Sequence, residues 1–117
     1  HSNLNESEHY LLARHEISTN LEEICRVSQR VLKSNGRLAM VHRPDRFLDI
    51  LDTMKAHNLA PKRIQFVYPK MDKGANMLLI EAIKDGSRDG LKILPPLILH
   101  EEDGSYTPEI YEIYHGN

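Results

Sequence analysis

The chain has 117 residues, of which 40% are hydrophobic and 27% charged, so it fits a single globular domain with a moderate core. Its net charge of −2 excludes a surface that is basic throughout, and its single cysteine excludes a disulfide framework and a cysteine-based zinc site. No apolar run is long enough to cross a membrane, and we expect a cytoplasmic protein.

The first segment, residues 5–16, is predicted as a short helix capped by Asn5, with Leu11 and Leu12 facing inward. We assign residues 1–17 to this linking segment or helix, residues 18–86 to an α/β core and residues 87–117 to a tail. No flexible linker separates the three parts, which favours one domain.

A clearer helix follows, with Thr19 as the predicted N-cap and Glu22 completing a capping box. Its inward stripe comprises Leu21, Ile24, Cys25, Ser28, Val31 and Leu32. We expect Cys25 to be buried and unreactive, and Ser28 to be hydrogen-bonded back into the helix. Asn35-Gly36 ends the helix.

Arg37–His42 is the first convincing strand, and its apolar residues suit a strand that is covered on both faces. A second helix starts after Pro44 and ends at His57-Asn58. Its predicted buried positions are Phe47, Leu48, Leu51 and Met54.

Pro61 is predicted to break the chain before a strand over residues 63–68. A polar loop, residues 69–75, then leads to a strand over residues 76–83. These two strands are too close in sequence for a helical crossover, so they should be antiparallel. Residues 91–99 form an extended apolar run that contains two prolines and therefore cannot be a central strand.

This order of helices and strands predicts an α/β fold, yet the chain has no Gly-rich phosphate turn and no acidic residue placed after such a turn. α/β domains hold their ligands at the carboxyl ends of strands, and a nucleotide is held by such a turn. We therefore interpret the chain as the back half of a domain whose binding half lies outside it.

Basic side chains are the main candidates for ligand contacts. Arg43 and Arg46 follow the carboxyl end of the first strand, and Lys70 and Lys73 lie in the loop between the last two strands. They are either phosphate contacts for a nucleic acid or an ordinary solvated surface. The seven histidines show no metal-ligand spacing, so no metal site is predicted.

Eight short segments, spread over nearly the whole chain, carry a family resemblance. They are Ala13-Arg14-His15-Glu16, Asn35-Gly36-Arg37-Leu38, His42-Arg43-Pro44, Lys62-Arg63-Ile64, Val67-Tyr68-Pro69-Lys70, Asn76-Met77-Leu78-Leu79-Ile80-Glu81, Leu94-Pro95-Pro96-Leu97 and Gly104-Ser105-Tyr106-Thr107. Their order and spacing resemble the bacterial tRNA adenine-N6 methyltransferase family, whose members are class I S-adenosylmethionine-dependent enzymes.

The resemblance implies that the chain is the C-terminal half of a Rossmann-like class I methyltransferase sheet with an extended C-terminal tail. Arg37–His42 would be the fifth strand of that sheet, residues 63–68 the sixth and residues 76–83 the antiparallel seventh. It also implies that the parent protein uses S-adenosylmethionine, binds tRNA and methylates an adenine N6 after the base has left its stack.

The family's Gly-rich cofactor turn, acidic ribose-binding residue and Asn-Pro-Pro-Tyr motif all lie upstream of His1. No catalytic or cofactor-binding residue is therefore assigned, and we expect the chain alone to be inactive and not to bind the cofactor. The resemblance adds Arg14 and His15 to the substrate-binding candidates Arg43, Arg46, Lys70 and Lys73.

Two further expectations follow. The alternative function is a self-contained small α/β module that binds RNA or a protein without catalysis. The isolated chain should also self-associate through the edge of Arg37–His42, because the strand that pairs with it in the family would be missing. A tail that folds back over this edge would prevent that association.

Overall fold

The computed structural model describes residues 10–14 and 20–115. Its strands are β1 (Tyr10–Arg14), β2 (Arg37–His42), β3 (Leu59–Tyr68), β4 (Met77–Lys84), β5 (Lys92–Ile93) and β6 (Leu97–Ile98). Its helices are α1 (Leu21–Val31), α2 (Phe47–Ala56), which a 3₁₀ turn at Pro44–Arg46 precedes, and α3 (Pro108–His115). None of these helices has the length and apolar character needed to cross a bilayer.

The six strands form one mixed sheet in the order β1-β2-β4-β3-β5, with β6 also paired to β3. β1 is parallel to β2, and β4 lies antiparallel between β2 and β3. β5 and β6 run parallel to β3. The predicted bounds of β2 are confirmed, and so is the antiparallel pairing of β3 with β4. The extended tail supplies the two short strands β5 and β6.

The start of α1 differs from the predicted one by a single residue. The side-chain Oδ1 of Asn20 accepts hydrogen bonds from the backbone N–H groups of Glu22, at 3.0 Å, and Glu23, at 3.3 Å. These are the second and third amides of a helix that starts at Leu21, where an N-cap side chain normally acts. The predicted cap, Thr19, is therefore wrong, and it lies outside the described residues.

The core lies between α1 and α2 and one face of the sheet. The buried cluster is Leu21, Cys25, Leu32, Leu38, Met40, Ile50, Met54, Leu59, Ile64, Leu78, Ile80 and Ala82. The prediction that Leu48 is buried is wrong, since the residue is 74% exposed and Ile50 is buried instead. α2 begins at Phe47, and a helix that buries Ile50 and Met54 and packs the partly buried Phe47 against the core turns position 48 away from it.

The N-terminal segment corrects two predictions. Residues 10–14 form strand β1 rather than part of a helix, while Asn5 lies outside the described residues. β1 pairs with β2 from Tyr10↔Arg37 to Arg14↔Val41, so β2 has a neighbour on both sides and the predicted open edge of Arg37–His42 does not exist. The tail does not cover this edge either, because β5 and β6 pair with β3.

Pro61 lies inside β3 rather than before it. β3 begins at Leu59, and its register with β4 shifts between Pro61 and Arg63. A proline cannot donate a ladder hydrogen bond, so it is tolerated at such an irregularity. The strand therefore starts four residues earlier than the sequence predicts.

Candidate functional site at the carboxyl edge of the sheet

The structure brings the predicted basic residues to one edge of the sheet. β1 and β2 are parallel, and both β2 and β3 run antiparallel to β4, so all three end at the same edge. Arg14 is the last residue of β1, Arg43 follows the last residue of β2, and Lys70 follows the end of β3 by two residues. His15 lies outside the described residues. This carboxyl edge is where α/β sheets hold their ligands.

Arg43 and Arg46 are anchored by nearby carboxylates. Arg43 Nε lies 3.2 Å from Asp45 Oδ1, with both side chains about 70% exposed, and Arg46 Nε lies 2.9 Å from Asp49 Oδ2. Exposed ion pairs such as these contribute about 0–1 kcal/mol to stability, so their main effect is to orient the guanidinium groups. A guanidinium has five N–H donors, and binding through Nε leaves others for a phosphate.

Lys70 and Lys73 lie in the β3–β4 loop, next to the tail. Lys70 Nζ donates to the backbone carbonyl of Glu102 at 3.3 Å, and the N–H of Lys73 donates to the carbonyl of Lys70 at 3.1 Å. The loop and tail enclose a pocket of about 510 Å³, which Asp72 and Glu101 also line. Lys70 is therefore a fixed cation among carboxylates, and this end of the edge is not uniformly basic.

The turn of the tail keeps a further carboxylate ionised near Lys70. Hydrogen bonds from the hydroxyl and the backbone N–H of Ser105 lower the pKa of Asp103, and Lys70 contributes to the same effect. The carboxylate of Asp103 therefore opposes any phosphate that approaches the lysine. By charge alone, the Arg43 and Arg46 part of the edge suits an anion better than the Lys70 part does.

An aromatic pair at this edge was missed by the sequence analysis. The rings of His100 and Tyr106 stack with centroids 5.1 Å apart and planes inclined by 19°. The two residues also form an antiparallel bridge across the Asp103-Gly104 turn. Tyr106 is 48% exposed, so the pair offers an aromatic surface beside the carboxyl end of β3. The signal available in the sequence was the turn dipeptide Asp103-Gly104 with His100 before it and Tyr106 after it, which places the two rings on facing sides of the turn.

Two groups that could have carried chemistry do not. Burial, and to a smaller degree the charge of Glu22, raises the pKa of the Cys25 thiol to about 12, so it is not a nucleophile. This confirms the prediction that Cys25 is buried. Ser28 Oγ is also buried but has no hydrogen-bond partner in the described structure, so the predicted bond back into the helix is wrong.

His42 ends β2, and its Nδ1 accepts a hydrogen bond from the backbone N–H of Arg43 at 2.8 Å. This local contact fits a structural role for the ring. The described residues contain no group of three or more His, Cys, Asp or Glu side chains that could hold a metal ion.

The described residues do not fit a nucleotide-type cofactor at this edge. β2 is followed within two residues by Pro44 and β3 directly by Pro69, and proline has no backbone N–H to offer an anion. Neither strand end carries the Gly-rich turn that lets the backbone approach such a ligand closely. We therefore derive no catalytic step from these residues.

Comparison with known proteins identifies the fold. No protein-family model and no curated protein sequence matches the chain. A predicted O-methyltransferase from Agrobacterium tumefaciens has a structure that matches 90% of this chain at 25% identity, with a TM-score of 0.78. The structure of the M1.HpyAVI–SAM complex matches 84% of this chain at 14% identity, with a TM-score of 0.51.

The matches cover 50% and 61% of those two chains, so this chain spans about half the length of the first. The fold is α/β and corresponds to the C-terminal half of a Rossmann-like class I methyltransferase sheet, as the sequence predicted. The first neighbour is a predicted O-methyltransferase, so the fold of this chain is methyltransferase-like. The second neighbour, which was crystallised with SAM, shares the fold.

Proposed function

We propose that this chain is the C-terminal part of an S-adenosylmethionine-dependent methyltransferase whose substrate is an adenine N6 of tRNA. The observation that carries the proposal is the match to the predicted O-methyltransferase, which extends over 90% of this chain but only half of that structure. The presence of SAM in the M1.HpyAVI complex supports the same cofactor. The segments that resemble the tRNA methyltransferase family support the substrate.

The carboxyl edge supports a nucleic-acid substrate. Arg43 and Arg46 retain donors for phosphate, and phosphate contacts position a nucleic acid without reading its sequence. An adenine that is methylated on its exocyclic nitrogen must leave its stack. The exposed ring of Tyr106 offers such a base a stacking surface at the same edge. In this proposal the cofactor and the reacting groups are held by polypeptide outside residues 1–117, so these residues alone transfer no methyl group.

The test is a methyl-transfer assay on the complete translation product of the reading frame that encodes this chain. With labelled S-adenosylmethionine and tRNA, we expect label in N6-methyladenosine after digestion to nucleosides, and no transfer by residues 1–117 alone. Because the first structure neighbour is a predicted O-methyltransferase, transfer of label only to an oxygen acceptor would contradict the adenine substrate.

The second candidate is a small RNA- or protein-binding module without catalysis. It is favoured by one observation, namely basic residues gathered at an edge that has no cofactor turn among the described residues. Salt-dependent tRNA binding by residues 1–117, together with no methyl transfer by the complete product, would support this candidate over the enzyme.

A further inference from the structure

The pocket between the β3–β4 loop and the tail has walls that the chain's own hydrogen bonds hold in place. The N–H of His100 donates to the carbonyl of Pro69 at 3.0 Å, which ties the tail to the chain just after β3. Thr107 Oγ1 donates to the carbonyl of Ile98 at 2.7 Å, which closes the tail on itself. The pocket measures about 510 Å³, and ligand sites commonly measure about 300–1,000 Å³. It is therefore a preformed cavity of the size that a small ligand needs.

Part of the pocket wall suits a flat, partly apolar ligand. Met71 lines the pocket and is 83% exposed, the largest exposed fraction among the exposed large hydrophobic side chains of the described residues. Ile98 and His100 also line it, and stacking on Tyr106 holds the His100 ring in one orientation. A planar ligand in the pocket would remove apolar surface of Met71 from water, which favours binding.

The polar groups of the pocket have opposite charges, and they keep hydrogen-bonding capacity. Asp72 and Glu101 line the pocket, and neither carboxylate has an ion pair or hydrogen bond with residues 10–14 or 20–115. Lys70 Nζ spends one of its three donors on the carbonyl of Glu102. A ligand would therefore meet two carboxylates that only accept hydrogen bonds and an ammonium that only donates them.

This donor and acceptor set excludes several ligand classes. The carboxylates oppose a phosphate, and no group of three or more His, Cys, Asp or Glu side chains in the described part of the chain could hold a metal ion. Among the bases of RNA, adenine and cytosine place an unprotonated ring nitrogen beside their amine, and a carboxylate repels that nitrogen. Guanine instead presents two adjacent donors, N1–H and the 2-amino group, next to the acceptor O6. Its Watson–Crick edge matches carboxylates beside an ammonium.

We propose that this pocket is a subsite for an unpaired guanine of the RNA, distinct from the adenine that is methylated. The carboxylates of Asp72 and Glu101 accept from N1–H and the 2-amino group, and Lys70 donates to O6. The inference rests on the proposed nucleic-acid substrate and deepens it by naming a second base that the edge selects. It also divides the carboxyl edge by charge, because Arg43 and Arg46 suit the phosphates while the acidic pocket suits a base.

Binding of short RNAs to the complete translation product tests the proposal without methyl transfer. Fluorescence anisotropy would compare a labelled oligoadenylate with the same RNA carrying one central guanosine or one central inosine, which lacks only the 2-amino group of guanosine. We expect the guanosine RNA to bind about tenfold more tightly than the oligoadenylate, since a well-placed pair of hydrogen bonds to a base gives discrimination of this order. The inosine RNA should fall between the two.

A double variant identifies the groups that recognise the base. Asp72→Asn combined with Glu101→Gln keeps the side-chain sizes and should reduce the preference for guanosine to less than about twofold. The matched control is Asp52→Asn combined with Glu112→Gln, which removes the same charge from exposed positions on α2 and α3 that do not line the pocket. The control should keep the full preference. Because the measured quantity is a ratio of affinities, a general change in attraction to RNA cancels.

Equal affinities of the unchanged protein for the three RNAs would overturn the proposal. Saturable binding of spermidine that the double variant loses would then assign the pocket to a cation instead. A preference that persists in the double variant would also overturn it, by placing the guanine elsewhere. A complete product that prefers guanosine but transfers no methyl group would refute the proposed enzyme and leave this inference standing, whereas methyl transfer to adenine without the preference would do the reverse.

Discussion

His57 Nε2 lies 2.7 Å from Glu22 Oε2, which joins the C-cap of α2 to the first turn of α1. The imidazole is mostly buried, with 17% of its side chain exposed, while the carboxylate is 63% exposed. Gln29 Nε2 reinforces the same junction by donating to the backbone carbonyl of His57. The two helices are thus held together by polar contacts at this end as well as by their shared core.

We expect the His57–Glu22 contact to be worth about 0.5 kcal/mol, because one partner is largely solvated. A double-mutant cycle of His57→Ala and Glu22→Ala, measured by urea unfolding, would give this coupling. The exposed ion pair between Arg46 and Asp49 within one helical turn is the matched control, with an equal or smaller value. A coupling energy above about 2 kcal/mol would contradict the expectation that solvation of Glu22 keeps this contact weak.

Ser28→Ala should stabilise the protein by about 1 kcal/mol, because it removes a buried hydroxyl that has no hydrogen-bond partner in the described structure. Ser34→Ala is the control, since Ser34 Oγ donates to Asp85 Oδ2 at 3.1 Å and its loss should be neutral or destabilising. Denaturant midpoints of both variants measure the difference. A destabilised Ser28→Ala protein would mean that the hydroxyl has a partner after all.

Stability should fall as the pH rises from about 9 towards 12, in part because of Cys25. Burial raises its folded pKa to about 12 from the ordinary value of 9.0, so above pH 9 the unfolded thiol ionises while the folded one stays protonated. The stability that the protonated thiol contributes is therefore fully present below the pKa of the unfolded thiol. It is lost as the pH rises towards and through the folded pKa. Cys25→Ala should flatten the decline of the unfolding free energy between pH 9 and pH 11, relative to the unchanged protein. Equal slopes for the two proteins would exclude Cys25 as the cause.

If the β3–β4 loop contacts RNA phosphate, replacing Lys70 and Lys73 with alanine in the complete product should weaken tRNA binding. The slope of log affinity against log salt should fall by about two. Lys55→Ala is the control, because Lys55 lies in the last turn of α2, beside the start of β3 and therefore at the opposite edge of the sheet. Stability should change by less than about 0.5 kcal/mol. An unchanged salt slope would exclude phosphate contacts by the loop.

Residues 1–117 alone should self-associate weakly through the face of the sheet that carries Ala39, Val41 and Leu79, which lies opposite the core formed with α1 and α2. The edge of Arg37–His42 is paired with β1 and no longer explains such association, whereas Val41 and Leu79 remain partly exposed. Sedimentation equilibrium should show a monomer of 13.5 kDa at low micromolar concentration and dimers at higher concentration. Leu79→Lys should abolish the dimer, whereas Leu48→Lys should not. Dimers that persist in Leu79→Lys would place the contact elsewhere.

The sequence predicted the parts of the fold whose signal is local. The bounds of β2, the burial of Cys25 and the direction of β4 all follow from periodicity and loop length. The Asn20 cap was misplaced by one residue because Thr19, although a weaker N-cap residue than asparagine, is also among the preferred ones.

The segments that could not be predicted depend on distant partners. Residues 10–14 form too short an apolar run to distinguish a strand from a helix, and their pairing with β2 decides between the two. β5 and β6 have two residues each, so only their register with β3 defines them. The candidate site also depends on local and distant signals. The positions of Arg43 and Lys70 after strands could be predicted from the local sequence. The stacking of His100 on Tyr106 could not, because it depends on the bridge between the two residues.

The place of the β3–β4 hairpin in the strand order bears on how the chain folds. It is the one pair among the described strands that closes a short loop, whereas β1 with β2, β2 with β4, and β3 with β5 and β6 all join distant parts of the chain. Closing short loops costs the least entropy, so we expect this hairpin to form first. Because it lies inside the sheet, later strands add outwards on both sides. β2 then adds to β4 from one direction and the tail to β3 from the other, so an amino-terminal and a carboxyl-terminal segment can each assemble without waiting for the other.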